Sequence, residues 1–246
     1  YVFASFVGTL LFSIIMGCFA FITIIGMIAS TQTTNEIKDN SVLVLNLSGQ
    51  LTERSEDNNI ISQLQGKIGT IGLDNLLSAI DKAKNNKNIK GIYIEAGAFT
   101  ADSYASLQAV RNALVDFKKS GKWIITYADI YTQGTYYLSS SANKVYLNPQ
   151  GQIDWHGLSS QPVFVKDLLK KFGVKMQVMK VGTYKSATEM FTGDKMSDAN
   201  REQTSAYLNS IWGTITKDVS ATRHISVSSL NAYADSMITF AAPTDY

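Results

Sequence analysis

The sequence predicts an α/β domain with a mainly parallel sheet, preceded by one membrane-spanning helix. Three observations point there. β-branched and aromatic runs alternate with segments whose apolar residues recur at helical spacing, the pattern of a sheet covered by crossover helices. From Tyr1 to Asn35 there is no charged side chain. Only three prolines interrupt 246 residues, which fits dense secondary structure.

The elements follow in order. The run Val2–Ala29, VFASFVGTLLFSIIMGCFAFITIIGMIA, exceeds the roughly 20 apolar residues that cross a bilayer core. A cleaved signal peptide is the competing reading, with MIAST as its small-residue cleavage site, but its apolar core is shorter. The first residue is Tyr, so a native start and any orienting basic residues are expected upstream. Residues 30–40 read as a polar linker, and 41–246 as the folded domain. SVLVLNLSG is a strand ending at Gly49, and Gln50 to Gly69 is a polar, mobile loop. LDNLLSAIDKAKNN places Leu73, Leu76, Leu77 and Ile80 on one helical face. IKGIYIEAG is a buried strand with a glycine exit. Leu107, Val110, Leu114 and Phe117 form the stripe of a second helix, stopped by Gly121. WIITYAD is a strand, GTYYLSSSAN a short helix, and KVYLNPQG a strand and turn. PVFVKDLLKKFG is a helix closed by Gly173, and VKMQVMKV is a further strand. The long helix from Asp198 has Ser197 as N-cap and Tyr207, Leu208, Ile211, Trp212 and Ile215 as its apolar face. SVSSLNAYADS is a last helix.

Composition excludes several chemistries. The net charge of +2, from 22 basic and 20 acidic side chains, leaves no electrostatic footprint for nucleic acid. Cys18 is the single cysteine and lies in the apolar run, so no internal disulfide and no cysteine-based zinc site can form. With only His156 and His224, a multi-histidine metal site lacks members. No cofactor is implied. GKIG, at 66–69, is too short for a phosphate loop. The aromatic content suits a core and oligomer interfaces.

One stretch stands out: KVGTYKSATEMF, Lys180 to Phe191. It places Lys185 where a strand hands over to a helix. Two readings stand. Lys185 is a solvated surface lysine, or it is a base. The second is chemically apt, because a helix N-terminus and partial burial both disfavour a charged amine, and a neutral amine can activate a hydroxyl.

This stretch resembles the lysine motif of the signal peptide peptidase A family, also called protease IV, in which RVGTYKSA is followed by E-P-F. Met190 replaces the proline and Phe191 is retained. The resemblance extends from GIYIEAGAF through LQAVRNALVDFKKSGKWIITYADIYTQGTYYLSSSANKVYLNPQGQIDWHG, and to the order of anchor, linker and first strand. It covers essentially the whole chain, as the N-terminal half of the family's long form.

The resemblance implies a ClpP/crotonase-like spiral of ββα units. It implies a serine endopeptidase of Ser–Lys type, anchored in the bacterial inner membrane and facing the periplasm or exterior. Its partners would be signal peptides or other membrane-released peptides, the lipid bilayer and further copies of itself. Lys185 would be the general base, with Gly182, Thr183, Tyr184, Ser186 and Glu189 supporting its turn. The nucleophilic serine would come from a second half, in an ASGGY-like motif absent here. Aligning Gly134-Thr135-Tyr136 on that motif puts Gln133 at the serine position, where an amide cannot attack. The chain is thus expected to be incomplete at its C-terminus and inactive alone. A non-catalytic membrane-tethered scaffold is the alternative; a soluble crotonase acting on acyl-CoA is disfavoured by the N-terminal span. Ser139, Ser140 and Ser141 read as small residues at a helix–sheet contact, and His156 as structural.

Overall fold

The computed structural model describes residues 1–31, 37–54, 69–236 and 240–241. It contains two compact units, Tyr1–Asp39 and Asn40–Tyr246. Most of the loop expected over 50–69, including GKIG up to Lys67 and Ile68, lies outside the described residues, as do residues 32–36 of the linker.

The first unit is helix α1, Val2–Thr31. At 1.5 Å per residue it is about 45 Å long, more than the roughly 30 Å of a hydrocarbon core. Its Ser5–Thr23 segment has a mean hydropathy of 2.2 and is exposed throughout. The hydroxyls of Thr9, Ser13 and Thr23 donate to the carbonyls of Ser5, Thr9 and Ala20 at 3.1, 2.9 and 2.8 Å. Their polar capacity is thus spent inside the helix, as an apolar surrounding requires.

The second unit runs β1 (Ser41–Thr52), β2 (Thr70–Gly72), α2 (Leu73–Asn85), β3 (Ile89–Ala101), α3 (Tyr104–Lys118), β4 (Trp123–Tyr131), α4 (Gln133–Ser139), β5 (Lys144–Ile153), α5 (Lys166–Lys171), α6 (Glu189–Thr192), α7 (Asp198–Arg223), α8 (Val227–Asp235) and β6 (Phe240–Ala241). The strands form one sheet in the order β2-β1-β3-β4-β5-β6. Every pairing is parallel except β5 with β6. The α/β class with a mainly parallel sheet is therefore as the sequence predicts.

The strands are longer than their sequence boundaries. β1 passes through Gly49, β3 through Gly97 and β5 through Gly151, where the glycines read as exits. The register breaks between Leu47 and Gly49 on β1, and between Ala128 and Ile130 on β4. Such bulges bend a strand without ending it. Gly49 supplies a φ of +84° at one bend. At Gly151 a Cβ would lie 2.1 Å from the Asp129 carbonyl, so only glycine lets β5 pass β4 there.

One face of the sheet holds the core. Leu45, Leu47, Ile92, Ile94 and Ile124 pack with Leu76 and Ile80 of α2 and with Leu107, Val110, Leu114 and Phe117 of α3. The opposite face leaves Val44, Trp123 and Tyr146 exposed.

Helix α7 docks through its C-terminal half. Ile215, Thr216 and Val219 are buried, whereas Tyr207 is 65% exposed. The expected apolar stripe thus covers the core only from Ile211 onward. Much of the docking is polar. Arg111, 2% exposed, donates to the Tyr137 carbonyl, to Ser140 Oγ at 2.7 Å, to the Asp218 carbonyl at 2.8 Å and to Thr222 Oγ1 at 3.0 Å. Its Nε lies 3.7 Å from Asp218 Oδ2, which also accepts Tyr137 OH at 2.7 Å. Burial pushes the guanidinium pKa down, and Tyr137 and Asp218 oppose that. Ser197 caps α7, accepting from the Asn200 amide at 3.2 Å.

Candidate active site

Two separate clusters hold the residues singled out in the sequence. The first surrounds Lys185. Gly182, at φ +103°, makes a turn that a side chain would strain, and a Cβ there would touch Lys185 Cγ at 3.7 Å. The Lys185 amide reaches back to the Gly182 carbonyl at 3.4 Å, and the Glu189 amide to the Ser186 carbonyl at 2.9 Å. Thr183 and Lys185 are exposed and Ser186 is half-buried. Met179, Val181, Tyr184, Lys185, Ser186 and Thr188 line a cavity of about 470 Å³. Among the described residues, Lys185 takes part in no ion pair.

Glu189 is the buried acid of this cluster, 7% exposed. Its carboxylate accepts Ser197 Oγ at 2.6 Å, the Ser197 amide at 3.2 Å and Asn200 Nδ2 at 3.0 Å, with Lys180 Nζ at 4.0 Å. The Ser197 hydroxyl and amide are the main causes that hold its pKa below the usual carboxylate value. Tyr184 OH donates to Glu202 Oε2 at 3.1 Å, and this bond raises the phenol pKa.

The strand expected over 174–181 does not form. A run of strand-forming residues becomes a strand only when a neighbouring backbone pairs with it, since a lone strand cannot satisfy its own amides. Among the described residues, no backbone–backbone hydrogen bond involves 175–181. Val174, Met176, Met179 and Val181 are exposed, the last two at 97% and 91%. Lys185 is correspondingly not in the first turn of a helix. α6 begins four residues later, at Glu189, and is a single turn. The partial burial and helix-dipole environment expected for Lys185 are therefore absent from this chain, since a dipole acts only within the terminal turn.

The second cluster surrounds Gln133, at the N-terminus of α4 and 3% exposed. Its Oε1 accepts the Gly157 amide at 2.9 Å and the His156 amide at 3.2 Å. Its Nε2 donates to Tyr104 OH and to the Gly157 carbonyl, both at 3.1 Å. The amide is fully used in tying α4 to the segment after β5. Gln133 does not line the Lys185 cavity. Ser139, Ser140 and Ser141 are buried, and their hydroxyls contact Thr126 Oγ1, the Tyr137 carbonyl and the Leu138 carbonyl. His156 Nε2 lies 3.3 Å from Asp154 Oδ2 at the surface.

Sequence reasoning missed Glu202, Ser197 and Asn200 as partners of the lysine turn. The only available signal was a capping serine with polar residues in the first turns of α7. Among the described residues, no group of three or more His, Cys, Asp or Glu side chains could hold a metal.

A parallel α/β domain that presents a lysine on a glycine turn is compatible with several chemistries, and sequence similarity places the chain in a family. The chain is 34% identical over 232 residues to "Protease 4" of Salmonella typhi, which covers 89% of this chain and 38% of that protein. It is 28% identical over 177 residues to "Serine protease SPPA, chloroplastic" of Arabidopsis thaliana, covering 72% of this chain and 25% of that one. The profile of Peptidase family S49 matches residues 116–243. The chain belongs to peptidase family S49. It spans well under half the length of these relatives. Among solved structures it is similar to an enoyl-CoA hydratase from Bacillus halodurans, at 11% identity and a TM-score of 0.30, over 67% of this chain and 80% of that one.

Proposed function

We propose that this chain is the base-supplying part of a membrane-anchored serine endopeptidase of Ser–Lys type, acting on apolar peptides such as cleaved signal peptides. The observation that carries the reading is Lys185: an exposed amine on a positive-φ glycine turn, in a cavity wall, with no ion-pair partner among the described residues. A general base must be reachable and free to accept a proton. The neutral amine takes the proton of a serine hydroxyl as its oxygen attacks the scissile carbonyl, then returns it to the leaving amine. The serine comes from another part of a longer protein or from a second copy, because Gln133 is no nucleophile and its amide is already committed. The bare apolar segment at 174–181 supports completion of the site by another protein surface, since such a segment is stable only when paired. That surface would also strip water from Lys185, the condition under which an amine serves well as a base. Helix α1 supports an anchor in a bacterial inner membrane; a catalytic unit on the non-cytoplasmic side and assembly as a homo-oligomer complete the proposal.

The test is cleavage of a fluorogenic apolar peptide by the full-length protein. Lys185→Ala and Lys185→Arg both abolish turnover, because guanidinium stays protonated, and the chain of residues 1–246 alone shows none. Wild-type rates in Lys185→Arg would refute the base assignment.

A further inference from the structure

Lys185 sits on a turn with little packing of its own, yet a base must be held within about half an ångström of its working position. Two side-chain tethers fasten this turn, one on each side of the lysine, and both end on the same helix. After the lysine, Glu189 accepts three hydrogen bonds from Ser197 and Asn200 at the start of α7. Before it, Tyr184 donates to Glu202, one turn further along α7.

We propose that Glu202 is a positioning residue for Lys185, acting through the Tyr184 hydroxyl, with Glu189 as the opposing tether and α7 as the rigid rail between them. This rests on the reading of Lys185 as a base. Three features carry it. Tyr184 and Lys185 are adjacent, so the phenol that meets Glu202 fixes the backbone from which the amine projects. The rail is itself immobilised from Ile215 to Thr222, by burial of Ile215 and Val219 and by the Arg111 contacts to Asp218 and Thr222. Charges are also apportioned. The Glu189 carboxylate lies 4.0 Å from Lys180, and Glu202 is spent on a phenol, so neither tether forms an ion pair with Lys185. An acid paired with Lys185 would hold its proton in place; these two hold the turn and leave the amine free.

The Tyr184–Glu202 tether is solvent-exposed, with Tyr184 at 52%. Its loss should therefore leave folding untouched while disturbing geometry, which separates positioning from a structural role. The experiment measures kcat, KM and Tm of the full-length protein with a fluorogenic apolar peptide for Tyr184→Phe, Glu202→Ala, their combination, Glu202→Gln and Lys185→Ala. A displacement of about 1 Å costs up to roughly 100-fold in rate, so Tyr184→Phe and Glu202→Ala should each lower kcat by about 10- to 100-fold with KM within about 2-fold. Because both remove one tether, the combined variant should be no slower than either alone. Glu202→Gln keeps an acceptor for the phenol and should recover most of kcat. Tm should be unchanged in all of them. Wild-type kcat in Tyr184→Phe and Glu202→Ala, or losses of kcat that follow Tm and are not recovered by Glu202→Gln, would overturn the positioning role while Lys185→Ala is inactive. Full activity in Lys185→Ala would instead overturn the underlying reading of the lysine.

Discussion

Replacing Arg111 by Met should loosen α7 from the core. Arg111 and Met have similar aliphatic stems, so the change removes the guanidinium with little loss of packing. The carbonyls it serves keep other donors: Tyr137 O still accepts Ser140 Oγ, and Asp218 O still accepts Thr222 Oγ1. What is lost is the cationic partner of the Asp218 carboxylate, which among the described residues retains Tyr137 OH. Removing one member of a buried ion pair typically costs about 3–5 kcal/mol. Asp218 is 32% exposed, so water can reach it and the low end applies, about 3 kcal/mol. For a domain of this size that is a fall in Tm of roughly 6–12 °C. Thermal unfolding followed by circular dichroism measures it, and hydrogen exchange should show the loss of protection concentrated in α7. A fall below about 2 °C would mean less than roughly 1 kcal/mol, and the network would then not be what fastens the helix.

Three further outcomes follow from the same geometry. Glu189 has a folded pKa below its unfolded value, so its contribution to stability is fully present above about pH 4.5 and is lost as pH falls through the lowered folded value. Urea midpoints should therefore drop between pH 5 and pH 3, and Glu189→Gln should reduce that drop; an identical pH dependence in the variant would contradict it. Gln133→Leu leaves the buried Gly157 amide without its acceptor, at about 1–3 kcal/mol, with a smaller loss at the more open His156 amide, and should lower the urea midpoint accordingly. Helix α1 should hold the protein in membranes through alkaline carbonate extraction, with recovery in the soluble fraction as the contrary result.

The α/β class, the alternation of strands and helices from Ser41 to Ile153, the long helix from Asp198 and most core positions were legible in the sequence, because apolar periodicity reports directly which face is buried; the short β2 and α6 were not, and VKMQVMKV was read as a strand that does not form. Leu107, Val110, Leu114 and Phe117 lie where spacing alone puts them. Strand ends were not legible. Gly49, Gly97 and Gly151 look like stops, and sequence cannot distinguish a glycine that ends a strand from one that lets it bend across a neighbour.

What the sequence by itself determined was local: the apolar helix Val2–Thr31, the glycine turn before Lys185, the Ser197 cap, and through its motif the membership of family S49. Only the tertiary structure decided which polar groups meet. Arg111 finds Asp218 across 107 residues, and Gln133 finds Gly157 across the gap between α4 and the end of β5. Tyr184 finds Glu202 across 18 residues. The structure also decided that VKMQVMKV forms no strand. A segment's intrinsic preference is written in its own residues, but a strand needs a partner's backbone and a buried charge needs a counter-charge. Both are supplied by chain folding, at distances that no local pattern records.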